Sequence, residues 1–152
     1  MTQPDLDGPL RAAVDEVLET MFFVQGEGEA HPGRGPEELF TAQVEFEGSP
    51  PGTLGLRITR EAARRMAADF LGEETWDLPE SRTLDVVLEM ANMFCGAVLS
   101  RVESETVFRL APPTVTFAVG EVVEPSEGAS IYDVQLSEGA LQVALRTAGA
   151  GS

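Results

Sequence analysis

Apolar positions recur at helical spacing in three stretches of the chain and at strand spacing in five. The longest helical stretch is Leu84–Val102, LDVVLEMANMFCGAVLSRV, which contains no proline. At about 100° per residue, Asp85, Glu89, Asn92, Gly96, Ser100 and Glu103 fall into one stripe roughly 80° wide. Val86, Val87, Leu88, Met90, Ala91, Met93, Phe94, Cys95, Ala97, Val98 and Leu99 take nearly all of the remaining circumference. A helix this apolar must be packed on several sides, so only the stripe is left for solvent or a partner. The helix can begin as early as Glu80 or Ser81.

The other elements follow from the same patterning. A first helix is predicted from about Pro9 to Phe23, with Leu10, Ala13, Val14, Val17, Leu18 and Met21 on its apolar face. Residues 26–37 form a loop rich in glycine, proline and acid that holds the lone His31. Leu39–Glu47 alternates as a strand, GSPPG at 48–52 turns, and Leu54–Ile58 returns as the second arm of a hairpin. Thr59 is placed to cap a helix over Arg60–Leu71, with Gly72 ending it. A polar connector at 73–80 carries Trp76 and Pro79. Beyond the long helix, Pro112 and Pro113 stop any helical continuation, and strands are predicted over Thr114–Val123, Ile131–Leu136 and Leu141–Thr147. The order α-β-β-α-α-β-β-β has more hairpins than β-α-β alternation. It predicts an α+β fold of two layers, an antiparallel-rich sheet covered by helices.

Composition narrows the function. The 152 residues suffice for one domain that buries about two-thirds of its unfolded surface, with residues 1–7 and 148–152 as flexible ends. A net charge of −16 and a pI near 4.2 argue against nucleic acid and against an anionic membrane surface, because both would repel the chain. The single Cys95 lies inside the apolar helix and offers neither a disulfide framework nor a metal cluster. MTQPDLDGPL lacks a basic n-region and an apolar h-region, and no charge-free apolar run reaches a membrane-spanning length. A soluble cytoplasmic protein is expected.

The chemistry on offer is confined to the stripe. No Ser-His or Cys-His pair, P-loop or glycine-rich dinucleotide turn is present, and ligands for a metal are limited to carboxylates. A carboxamide donates and accepts but does not ionise, so Asn92 is suited to orienting a water rather than to attacking as a nucleophile or acting as a base. Glu89, one turn away, can pair with a partner's lysine. Gly96 costs about 1 kcal/mol of helix propensity relative to alanine and permits close approach of something flat. Positioning a water and gripping a charged partner is most of what phosphoryl transfer requires. The same spacing also suits a buried helix with an ordinary solvated face. An echo of the stripe lies in the first helix: aligned at Asp15 and Asp85, both helices carry Leu three residues on and Glu four on, but Phe22 answers Asn92.

Asp85-x-x-x-Glu89-x-x-Asn92, its continuation Met-Phe-Cys-Gly96 and the downstream Pro112-Pro113 resemble the signature of the CheC/CheX family of chemotaxis phosphatases. Leu18-Glu-Thr-Met-Phe-Phe23 is similar to the family's first helix. The resemblance implies a CheC-like, pseudo-duplicated fold over residues 8–147 and removal of phosphate from the aspartyl-phosphate of a CheY-like response regulator. It implies Asn92 and Glu89 as the catalytic pair, with Asp85 and Gly96 against the partner. No metal is bound by the chain itself, since the receiver brings its own Mg²⁺ and lysine. Phe22 in place of an amide leaves one active stripe per chain, the pattern of the homodimeric CheX type. Two other readings stay open: a receiver-binding module without turnover, and a structural dimerisation domain.

Overall fold

The computed structural model describes residues 6–22, 37–48, 50–102, 107–120, 129–136 and 139–147. His31, most of the loop expected at 26–37, and the termini at 1–5 and 148–152 lie outside them. Helix α1 spans Asp7–Met21 and buries Leu10, Ala13, Val14, Val17 and Leu18. Met21, expected on the apolar face, is 41% exposed. The helix stops there, and Phe22 turns inward in its place, its ring 5.2 Å from that of Phe70.

Strands β1 (Glu37–Glu47) and β2 (Gly52–Thr59) form the predicted hairpin, each longer at its start than the alternation indicated. Helix α2 (Arg60–Leu71) follows directly. Thr59 occupies the residue before the helix but does not cap it: its Oγ1 accepts a hydrogen bond from the backbone N–H of Ala140 at 3.2 Å. Gly72 does end α2, at φ 69°, with Glu73 N–H bonded to Ala68 O and Gly72 N–H to Asp69 O. That reciprocal pair closes the helix around a left-handed glycine. After a single turn of 3-10 helix at Thr75–Asp77, helix α3 runs over Glu80–Leu99.

The remaining strands are β3 (Arg109–Leu110), β4 (Thr114–Gly120), β5 (Ser130–Leu136) and β6 (Gly139–Thr147). Residues 121–123, expected in β4, lie outside the described residues. All pairings are antiparallel, in the order β3-β1-β2-β6-β5, with β4 also on β1. The short β3 was not predicted, and the proline pair explains it. Three steps of β1, from Gln43 to Phe46, face four steps of the neighbouring strand, from Leu110 to Thr114. Pro112 and Pro113, which have no N–H to contribute to a ladder, occupy this bulge in the edge strand.

Cross-strand rows define the core. Phe40, Ile58, Leu141 and Val134 are in register across four strands, and all are buried. The row of Ala42, Leu56 and Val143 runs beside it. The three helices add their apolar faces to this same cluster. On the opposite face one row reads Thr41, Arg57, Gln142 and Asp133, with Gln142 Nε2 donating to Asp133 Oδ1 at 2.8 Å. Gly139, at φ 150°, admits no side chain, since a Cβ would lie 2.1 Å from Thr59 Oγ1.

Candidate functional site on helix α3

Helix α3 lies between α1 and α2 and over β1, β2 and β4. This setting accounts for its apolar circumference: Val86, Val87, Met90, Ala91, Phe94, Cys95, Val98 and Leu99 are all buried. Both ends are tied down. At the start, Arg60 donates to Glu80 at 3.1 Å and to Glu38 at 3.0 Å. Glu38, foremost, raises the arginine's pKa through that hydrogen bond. The bridge is exposed, so it guides the helix more than it stabilises it. At the far end, the Ser100 hydroxyl and Arg101 Nη1 both donate to Ala97 O, at 2.7 and 3.0 Å. The same arginine pairs with Glu16 of α1. These side-chain bonds accompany the end of the helix at Leu99, three residues before the predicted Val102, with Ser100 to Val102 continuing in tight turns.

The stripe remains uncovered. Asp85, Glu89, Gly96 and Ser100 are exposed, and Asn92 is half-buried. Glu103 lies outside the described residues. Ser81 and Arg82, also exposed, extend the same face toward the N-terminus, and half-buried Leu88 and Met93 flank it. The helical period already carried that signal for Arg82, which falls at the stripe's edge, whereas Ser81 lies about 20° outside it. Asp85 to Gly96 covers about 16 Å of helix at 1.5 Å per residue. Among the described residues neither Asp85 nor Glu89 has an internal partner.

Asn92 is unusual. Its Oδ1 is shut off from solvent and has no hydrogen-bond partner. An acceptor left unpaired in this way costs about 1–3 kcal/mol. Native folds hold few such groups, and each calls for an explanation. Gly96 poses a similar question, because a Cβ there would meet nothing within 4 Å. The fold itself has no need of glycine at this position.

Cys95 is a different case. Burial pushes its thiol up to about 12, so it stays protonated and packs as a small hydrophobe rather than serving as a nucleophile. Among the described residues, no cluster of three or more His, Cys, Asp or Glu is placed to hold a metal ion. No described helix is long and apolar enough to cross a membrane.

On α1 two of the matching positions, Asp15 and Phe22, are spent inside the molecule, while Glu19, the counterpart of Glu89, is exposed. Asp15 accepts a 2.7 Å hydrogen bond from the Tyr132 hydroxyl, and the Arg11 guanidinium lies 4.9 Å from that ring's centre. Phe22, opposite Asn92 in the alignment of the two helices, is 1% exposed and already past the helix end.

The family model for the chemotaxis phosphatase CheX matches residues 40–134. The chain belongs to the CheX family. The matched segment contains all of α3, whereas α1 lies before it. The fold is similar to that of the chemotaxis protein CheX from Vibrio vulnificus, at 21% identity and TM-score 0.75, covering 95% of this chain and 97% of that one. CheX from Desulfovibrio desulfuricans aligns with 21% identity and TM-score 0.73, over 95% and 99% of the two chains. The CheX of the CheX-CheY-BeF3-Mg complex from Borrelia burgdorferi aligns with 19% identity and TM-score 0.72, again over 95% and 99%. No curated protein matches the chain. A CheC-like superfamily protein from Shewanella shares the architecture at TM-score 0.69. The α+β fold with the order read from the sequence is therefore that of the CheC/CheX group.

Proposed function

We propose that this CheX-family chain hydrolyses the aspartyl-phosphate of a CheY-like receiver domain. The observation that carries the reading is a pair of groups on α3 without partners among the described residues, the Glu89 carboxylate and the Asn92 carboxamide. They sit one turn apart on the open face of an otherwise buried helix. The Borrelia relative, whose complex contains CheY, BeF3 and Mg, supports the choice of partner.

An aspartyl-phosphate is a mixed anhydride, labile without help, so the protein's task is placement. Asn92 holds a water in line with the phosphorus. The water oxygen bonds to phosphorus as the bond from phosphorus to the aspartyl oxygen breaks. Inorganic phosphate and the receiver's carboxylate result, and the water's proton leaves with phosphate or solvent. Asn92 stays neutral throughout because a carboxamide is too weak a base to take that proton. Glu89 pairs with the receiver's lysine and fixes the docked geometry. Asp85 meets the rim of the partner, and Gly96 lets the partner lie close to the helix. The Mg²⁺ that neutralises phosphoryl charge belongs to the receiver. The chain works as a homodimer in the cytoplasm, with one stripe per subunit, and sedimentation at tens of micromolar checks the assembly.

The deciding experiment follows loss of phosphate from a phosphorylated receiver over a range of enzyme concentrations. Asn92→Ala is expected to cut turnover about 100-fold or more while the receiver still binds, as when an oriented polar group is removed from a transition state. Wild-type turnover in that variant would refute the assigned mechanism.

A further inference from the structure

Trp76, in the 3-10 turn between α2 and α3, is 74% exposed. A single apolar side chain in water needs no explanation by itself. The turn beneath this one, however, is braced. Arg64 of α2 donates from Nη2 to Thr75 O at 2.9 Å, Asp77 N–H bonds to Glu74 O at 3.1 Å, and Leu78 N–H bonds to Thr75 O at 3.4 Å. Leu78, two residues on, is 5% exposed and supplies the connector's contact with the core. The fold thus uses the turn and Leu78 but leaves the indole outside on a fixed support. An aromatic ring held this way has little freedom to lose when a partner covers it.

Four residues after Trp76 α3 begins, and its first exposed cation is Arg82, which has no partner among the described residues. Arg82 lies three residues before Asp85 and ten before Asn92, about 15 Å along the helix from the amide. Resting on the receiver-phosphatase reading, we propose that Trp76 and Arg82 form the anchoring end of the docking surface. They grip the receiver away from its phosphorylated aspartate, while Asn92 acts at the phosphorus. Size supports this division. The stripe from Asp85 to Gly96, about 16 Å long on a helix about 10 Å across, offers roughly 200 Å², whereas a stable interface takes about 800 Å² from each partner. Chain reach keeps Trp76 within about 22 Å of Asp85, and a round patch of about 800 Å² is about 32 Å across, so one partner can cover both. Tryptophan and arginine are also the residue types most enriched where binding energy concentrates. On the receiver, the anchor calls for an apolar hollow for the indole bordered by a carboxylate for the guanidinium.

Trp76 is the only tryptophan in the chain, so protein grown with fluorotryptophan gives one indole fluorine resonance. Its shift between H2O and D2O reports exposure of the ring. The full chain is measured alone and then with a CheY-like receiver loaded with beryllium fluoride and Mg²⁺, whose own fluorine signals lie elsewhere in the spectrum. Calorimetry on the parent, Trp76→Ala and Arg82→Ala gives affinities, dephosphorylation of the phosphorylated receiver gives rates, and thermal melts confirm that each variant is folded. The expected result is a solvent shift present in the free chain and lost in the complex. Each substitution should weaken binding and raise KM about tenfold or more while kcat holds, because a contact made equally before and during the reaction sets affinity alone. Asn92→Ala should show the reverse, with rate lost and binding kept. A complex that forms with the solvent shift intact, or folded variants that bind as tightly as the parent, overturns the anchor and leaves the choice of partner standing. A solvent shift already absent from the free chain at tens of micromolar, where sedimentation shows a dimer, gives the indole to a second copy and also overturns the anchor. If the parent forms no complex, the receiver reading itself falls, and the anchor with it.

Discussion

Helices α1 and α3 began from a similar pattern and ended as opposites. Each carries an aspartate, a leucine three residues on and a glutamate four on. In α3 those carboxylates are exposed and have no partners among the described residues, and the helix continues for nearly three more turns past Glu89, through Asn92 and Gly96. In α1 the aspartate is bonded to Tyr132 and the helix stops at Met21, so the residue opposite Asn92 becomes a buried aromatic anchor. The neighbouring Glu16 is taken up by Arg101 from the end of α3. Through Asp15, Glu16 and Phe22 the first helix fastens the fold, although its Glu19 stays exposed as Glu89 does. A helix face can serve internal stability or an external partner, because an ion or hydrogen-bond donor already satisfied within the fold has little left to offer outside.

The strongest way to break this contrast is to give α1 the missing amide. Phe22→Asn should lower stability by about 3–5 kcal/mol in urea unfolding, since a fully buried ring is lost and a polar group takes its place. Below its melting temperature the variant should show no added turnover, because residue 22 lies beyond the helix end and inside the core. A gain in phosphatase rate would show that α1 is a dormant site rather than a fastening.

Paired substitutions at the two glutamates sharpen the comparison. Glu89→Ala should weaken receiver association by about 1–3 kcal/mol and slow turnover, while Glu19→Ala, its counterpart on α1, should leave both unchanged. Equal losses in a binding titration would mean that charge in general, and not the α3 stripe, draws the partner. From the structural side, Tyr132→Phe should cost about 1–2 kcal/mol in thermal or urea melts, by deleting its hydrogen bond to Asp15, without changing the specific rate.

The smallest change runs in the opposite direction. Gly96→Ala should raise stability by about 1 kcal/mol, because alanine suits a helix better and its methyl meets nothing within 4 Å. For a chain of this size that corresponds to a melting temperature about 2–4 °C higher. Receiver affinity should fall in the same variant. A variant that is more stable and binds as well as the parent would remove Gly96 from the docking surface.

Much of the site could be read from the chain because a helical period is a local property. The stripe, the apolar ring around it and the closing glycine of α2 each follow from residues within a turn or two of one another. The strand alternation of β1 and β2 was legible for the same reason. Errors fell where distant residues compete. Thr59 was assigned to its own helix, but the backbone of β6, some 81 residues later, claims its hydroxyl. Met21 counted as apolar-face on period alone, but the adjacent Phe22 reached the core. No described helix passes the proline pair, as expected, but its place as a bulge in a sheet edge shows only in the register against β1.

By itself, then, the sequence determined that one long helix must be packed on most sides and that a carboxylate, an amide and a glycine share its open face. Composition and spacing suffice for that, because side-chain direction on a helix repeats whatever the surroundings. Only the tertiary structure decided that Asp15 and Glu16 of the first helix are taken up inside the fold. Tyr132 lies 117 residues from Asp15 and Arg101 lies 85 from Glu16, and no local pattern predicts that such partners will meet. The tertiary structure also decided that the Asn92 oxygen is sealed and unpaired, since that depends on what packs around the side chain rather than on where it sits along the helix.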